Sequence, residues 1–136
     1  MKRALLHLIS AALLLALAAL QLNDPDALFW ATVYGFAALV PLLRIAKRRP
    51  PALWGVALGL VWAGWLSCLP GFVDYLDSGE YALIGGAMSD DKPYVESARE
   101  WIGATAAALI LFLGYGFIGR KARASGQASG PTSGRG

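Results

Sequence analysis

The side chains of this chain that could act together chemically fall into two short segments. One is Asn23-Asp24-Pro25-Asp26, with Gln21 just before it; the other is Glu96-Ser97-Ala98-Arg99-Glu100. Glu96, Arg99 and Glu100 stand at i, i+3 and i+4, which places them on one face of a helix, one turn above Gly103 and Ala107. Four carboxylates against one guanidinium carry a formal charge of −3. Such a group can hold a cation or a small polar ligand. If neighbours push the proton affinities apart, it can also work as general acid and base, with Arg99 orienting an anionic group such as a lipid phosphate. The blander account is that the first segment caps a tight hairpin and Arg99 pairs with its helix neighbours, for ~0.3–0.5 kcal/mol per exposed pair.

Other chemistries are excluded by residue count or spacing. With one histidine, His7, and one cysteine, Cys68, a single chain can build neither a disulfide nor a zinc site of the usual His/Cys kind. Gly-x-Ser-x-Gly, His-Glu-x-x-His, a phosphate-cradling glycine loop and the Glu-x-x-His pair of di-iron bundles are all missing. No motif identifies a cofactor. Cys68 has no basic sequence neighbour to activate it, which favours a structural role.

The elements that must position the two polar segments are apolar. Of 136 residues, 57% are hydrophobic and 15% charged, with a mean hydropathy of +0.51. A soluble domain averages ~45–50% and ~25%, so this composition is that of a membrane protein. Four runs lack Asp, Glu, Lys and Arg altogether: 4–22, 27–43, 52–69 and 101–118. As helices they measure about 26–28 Å, against a hydrocarbon core of ~30 Å. Pro41 is expected to trim the second, and the fourth helix to begin near Pro93. The fold class expected is all-α, an integral membrane antiparallel four-helix bundle over 1–120. A Gly/Ser-rich tail, 121–136, is expected to be disordered.

Charge sets the orientation. Lys2, Arg3, Arg44, Lys47, Arg48, Arg49, Arg120, Lys121, Arg123 and Arg135 all fall on one side of the spans, while all nine acidic residues fall on the other with Lys92 and Arg99. Both termini are therefore expected in the cytoplasm of a plasma membrane, the inner membrane in a bacterium. The basic side suits anionic lipid heads rather than nucleic acid. Lys2-Arg3, the first apolar run and Ala16-Leu17-Ala18 also have the form of a cleavable secretory signal, although the run is long for one; the topology after Leu22 is the same either way.

Short links make neighbours of successive spans. In the first link, Asn23 is expected to end one helix in the left-handed conformation, Asp24 to cap the next and Pro25 to occupy its first position. The outer connection from Pro70 to Lys92 is too apolar to be a free linker and should lie on the membrane surface or over the helix ends. Gly55, Gly59, Ala63 and Ser67 recur every four residues on span three, an interface for a neighbouring helix, a second copy or a membrane-complex partner. Trp62, near the middle of the same span, is expected to be a packed core aromatic.

Gln21-Leu22-Asn23-Asp24-Pro25-Asp26, with Trp30 and Tyr34, followed by Glu96-x-x-Arg99-Glu100-x-x-Gly103, resembles the transmembrane protein 220 family over residues of about 18–118. Ala27 replaces a second proline common in that family, and Ile102-Gly103-Ala104 its Gly-Gly-Leu-like run; neither change touches the polar set. The resemblance implies four spans and supports a shared polar site, but brings no activity with it. The leading expectation is a non-enzymatic membrane protein whose acidic layer, Gln21, Asn23, Asp24, Asp26, Glu96, Arg99 and Glu100, binds a cation or small polar ligand or serves a complex. Arg99 is expected to bond a hairpin carboxylate. The alternative is an enzyme acting on a lipid or other amphipathic substrate at the outer interface.

Overall fold

The computed structural model describes the backbone of residues 2–86 and 92–127, and their side chains except at 2, 23 and 115–127. Four helices follow in order: α1 (Lys2–Leu20), α2 (Ala27–Ile45), α3 (Pro51–Ser78) and α4 (Pro93–Gln127). Two 3₁₀ turns lie between them, at Gln21–Asn23 and Tyr81–Gly85. By length and composition, Arg3–Leu20, Ala27–Ile45 and Pro51–Ser78 can cross a membrane. The fourth apolar run, 101–118, extends past residue 114, the last of its side chains described. α1 packs along α2 and α3 along α4; α2 on α3 joins the two pairs, with smaller contacts from α4 to α1 and α2.

Packing follows the logic of lipid. Leu5, Leu6, Ile9, Leu13, Leu109 and Leu113 face outward, whereas the buried positions are dominated by Ala11, Ala37, Ala38, Ala57, Ala104 and Ala107. A leucine gains nothing by leaving hydrocarbon for a protein interior, so close approach of small residues supplies the attraction instead. The two largest buried side chains are aromatic. Trp30 and Tyr34 of α2, each 1% exposed, sit stacked with ring centroids 5.6 Å apart. Each fills a glycine notch: a Cβ on Gly64 of α3 would meet the Trp30 ring at 2.8 Å, and one on Gly103 of α4 would collide with the Tyr34 hydroxyl. Polar ties are few. Trp65 Nε1 of α3 donates to Thr105 Oγ1 of α4 at 3.0 Å, and Arg44 Nη1 of α2 to the Gly114 carbonyl of α4 at 3.0 Å.

Several expectations are corrected. Pro41 does not trim α2, which runs on to Ile45 with Pro41 buried inside it. α3 likewise continues through Pro70 to Ser78, so the outer connection begins at Gly79, whose left-handed φ of 69° turns the chain. Proline is tolerated within such helices where neighbours reward continuation. Here Phe72 stacks on Trp101 at 4.0 Å, and Tyr75 is buried beside Val95 and Ala98. Trp62 is not a core residue; it is partly exposed, edge-on to Trp65. The internal face of α3 is Ala57, Val61, Gly64, Cys68 and Tyr75, while Gly55, Gly59, Ala63 and Ser67 lie exposed on another face. α4 opens at Pro93, as expected, and its backbone is helical through Gln127, seven residues into the segment whose composition predicts a disordered tail. Residues 128–136 lie outside the described residues.

Gly64→Ala should be destabilising by ~1–3 kcal/mol, the usual cost of overpacking. Gly59→Ala, whose Cβ would meet nothing within 4 Å, should leave stability unchanged. Denaturant midpoints of the two variants in detergent check this; equal midpoints would dismiss the notch.

Candidate functional site

The link between α1 and α2 is built differently from the expected cap. Asn23 closes a 3₁₀ turn without positive φ, since Lys47 is the sole described non-glycine residue there. Asp24 is extended, its N–H donating to the Gln21 carbonyl at 3.1 Å and its own carbonyl accepting from Ala27. Asp26, not Asp24, is the N-cap of α2, and it caps through its carbonyl alone, accepting from Phe29 and Trp30. With the main chain satisfying these N–H groups, neither carboxylate is spent on helix capping, as Asp24 was expected to be.

α4 presents the other half. Pro93 fixes its first turn, and Glu96 and Glu100 lie one turn apart on the face that continues through Gly103 and Ala107. The hairpin tip and this face meet: one carboxylate oxygen each from Asp26, Glu96 and Glu100 lie within 4.8 Å of one another. Asp26 is exposed, Glu96 half-buried and Glu100 buried, so the cluster runs from the surface inward. Glu100 Oε2 accepts from the Cys68 thiol at 3.2 Å. The Trp30 indole N–H approaches the same carboxylate but has no partner within hydrogen-bond geometry.

Asp24 is 7% exposed, and neither of its carboxylate oxygens has a hydrogen-bond partner among the described residues. Burial first, then the Asp26 charge, raises its proton affinity above the ordinary carboxylate range, against an opposing pull from Arg99. Glu100 immediately precedes the fourth apolar run. Burial lifts its carboxyl to about 7; the Cys68 bond opposes that rise, and the Asp26 and Glu96 charges add to it. Three crowded carboxylates thus invite either a proton on Glu100 or a cation among all three.

Arg99 does not bond a hairpin carboxylate. Its guanidinium donates to the carbonyls of Ile84, Leu83 and Gly86, at 2.9, 3.0 and 2.6 Å. It braces the 3₁₀ turn at Tyr81–Gly85, whose open carbonyls compete for the cation. Glu80 holds Lys92 at 2.6 Å and accepts from the Tyr94 hydroxyl, which keeps its carboxyl below the usual range. Gln21 is half-buried in its turn, and the side chain of Asn23 lies outside the described residues. Of the seven expected site residues, Asp26, Glu96 and Glu100 come together, Asp24 lies buried beside Asp26, and Arg99 turns away. Cys68 and Gly64 were not among those expected. The four-residue spacing from Gly64 to Cys68 marked a shared face, but nothing in it pointed to a carboxylate.

The chain matches the family model described as Transmembrane family 220, helix, over residues 13–116. It belongs to transmembrane family 220. The matched region spans the 21–26 hairpin tip and the α4 face bearing Glu96 and Glu100, so the site is built wholly from the part of the chain shared with the family. No curated protein and no solved structure matches the chain.

Between about 4.5 and 7, folded Glu100 holds a proton that the unfolded chain has released, so stability falls as pH rises through that interval. The Asp24 shift has the same sign. In detergent with EDTA, Tm should decline across this range for the native chain. Glu100→Gln, which keeps an acceptor for Cys68, should flatten the decline; an unaltered slope would assign the titration to another group.

Proposed function

We propose that this family member is a multi-pass membrane protein that binds a hard divalent cation through Asp26, Glu96 and Glu100. The observation that carries it is the mutual approach of three carboxylate oxygens within 4.8 Å, one from the N-cap of α2 and two from residues one turn apart on α4. Oxygen ligands lie ~2.3–2.6 Å from Ca²⁺ and ~2.0–2.1 Å from Mg²⁺. Two oxygens on one Ca²⁺ are therefore at most about 4.6–5.2 Å apart, a limit that separations within 4.8 Å satisfy. An all-carboxylate set favours Ca²⁺, Mg²⁺ or Mn²⁺ over softer metals. Water completes the coordination, and buried Asp24 deepens the negative potential beside it. Gln21 and Arg99 belong to the same polar layer, as supports and not as ligands.

We read the four helices as an antiparallel bundle in a plasma membrane, the inner membrane in a bacterium. Both termini are cytoplasmic and the acidic layer faces outward; the segregation of ten of twelve basic residues to one side supports this orientation. The exposed stripe of Gly55, Gly59, Ala63 and Ser67 supports association with a second copy or another membrane helix.

Isothermal titration of purified protein with CaCl₂, MgCl₂ and MnCl₂ tests the cation site. One ion per chain is expected, with affinity at least tenfold weaker in Asp26→Asn and in Glu96→Gln. Heats identical in native and variant proteins would refute it.

A further inference from the structure

Two small clefts open at the basic end of the molecule, away from the acidic layer. α2 ends in a turn where Lys47 adopts a left-handed φ of 59° and the Arg48 N–H donates back to the Leu43 carbonyl at 2.8 Å. This Schellman-type reversal folds the chain over the helix end. As a result Arg49, five residues beyond Arg44, lines the same cleft, walled by Val40, Leu53 and Trp54. A second small cleft shares Val40 and Arg44 and reaches His7 and Ser10 of α1. Each has a volume of about 10 Å³, room for roughly one oxygen atom.

Three features describe what fits there. The sequence holds no acidic side chain in 1–23, in 27–73 or after Glu100, so cations alone set the local field. The Arg44 guanidinium is fixed by its bond to the Gly114 carbonyl, so little side-chain freedom is lost when an anion arrives. Finally, the apolar span of α2 ends at Ile45 and that of α3 begins at Pro51, which puts both arginines at the level of lipid phosphates. Two guanidinium groups over apolar and aromatic walls match a phosphate ester attached to hydrocarbon.

We propose that Arg44 and Arg49 form a clasp for the phosphate group of an anionic phospholipid. Lys47 and Arg48, exposed on the same turn and absent from both clefts, contribute only a diffuse field.

Full-length protein in nanodiscs of equal phosphatidylcholine and phosphatidylglycerol, analysed by native mass spectrometry, tests the clasp. The native chain should retain phosphatidylglycerol preferentially. Arg49→Gln should cut that preference roughly fivefold, and Arg48→Gln should preserve it. Arg44→Gln should act like Arg49→Gln; because Arg44 also braces α4, Arg49→Gln decides the matter should Arg44→Gln lose its fold. Equal losses in Arg48→Gln and Arg49→Gln, or none in either, would overturn the proposal. Displacement of phosphatidylglycerol by millimolar inorganic phosphate, abolished by Arg49→Gln, would overturn the lipid assignment in favour of a free-anion site. These outcomes do not depend on Asp26, Glu96 or Glu100, so they separate the clasp from the cation site.

Discussion

Two aromatic rings seated in two glycine notches hold the rest of the structure in register. Trp30 against Gly64 and Tyr34 against Gly103 are where α2 meets α3 and α4, and both rings are fully buried in an interior rich in alanine and valine. A side chain larger than glycine at either notch displaces a ring that has nowhere else to go. In lipid this shape match matters more than in water. Moving apolar surface from hydrocarbon to protein gains little, so interdigitation and dispersion must hold the helices together.

The polar layer follows from that register. Asp26, the N-cap of α2, is followed at intervals of four by Trp30 and Tyr34, and Glu96, Glu100 and Gly103 are spaced by four and three on α4. Each set lies along one helical face. Seating Tyr34 over Gly103 therefore carries Asp26, two turns above it, to the level of Glu96 and Glu100, two turns and one turn above the notch. Packing between apolar faces thus brings Asp26 to the Glu96–Glu100 pair, although like charges repel. Crowding like charges costs energy, which a proton on Glu100 or a bound ion would relieve. The short bond from Cys68 offsets part of the cost on the buried side.

Much of this was legible in the chain. The apolar runs, the hairpin over 21–26, the helix opening at Pro93 and the approach of the two acidic segments all follow from hydropathy, link length and four-residue spacing. What was not legible depended on competition between partners. Proline at 41 and 70 reads as a boundary, yet Phe72 and Tyr75 gain enough from Trp101, Val95 and Ala98 to extend α3 by two turns. Arg99 reads as the natural partner of a hairpin carboxylate, but three carbonyls of the 81–86 turn capture it. Asp24 reads as a cap, but the backbone carbonyls of the tip already serve the first N–H groups of α2. The small-residue stripe at 55, 59, 63 and 67 reads as an interface for a neighbouring helix, a second copy or a partner, and the face that accepts Trp30 lies instead at 57, 61, 64 and 68. Periodicity finds a face; it does not say which neighbour the face will meet.

The loss of Arg99 from the carboxylates changes what the site can do. Had its guanidinium bridged Asp24 or Asp26, the layer would be a closed ion network with its charges internally balanced. Instead Arg99 spends its donors on carbonyls that carry only partial charge. A positioned guanidinium facing an open pocket would favour an anionic substrate and the acid–base chemistry that goes with it. A guanidinium turned into the backbone, beside carboxylates graded from exposed Asp26 to buried Glu100, favours a positive guest entering from the surface. The chain thus bears opposite fields at its two ends, with cations clustered near Arg44 and anions near Glu100, and the uncharged helices between them keep the two apart.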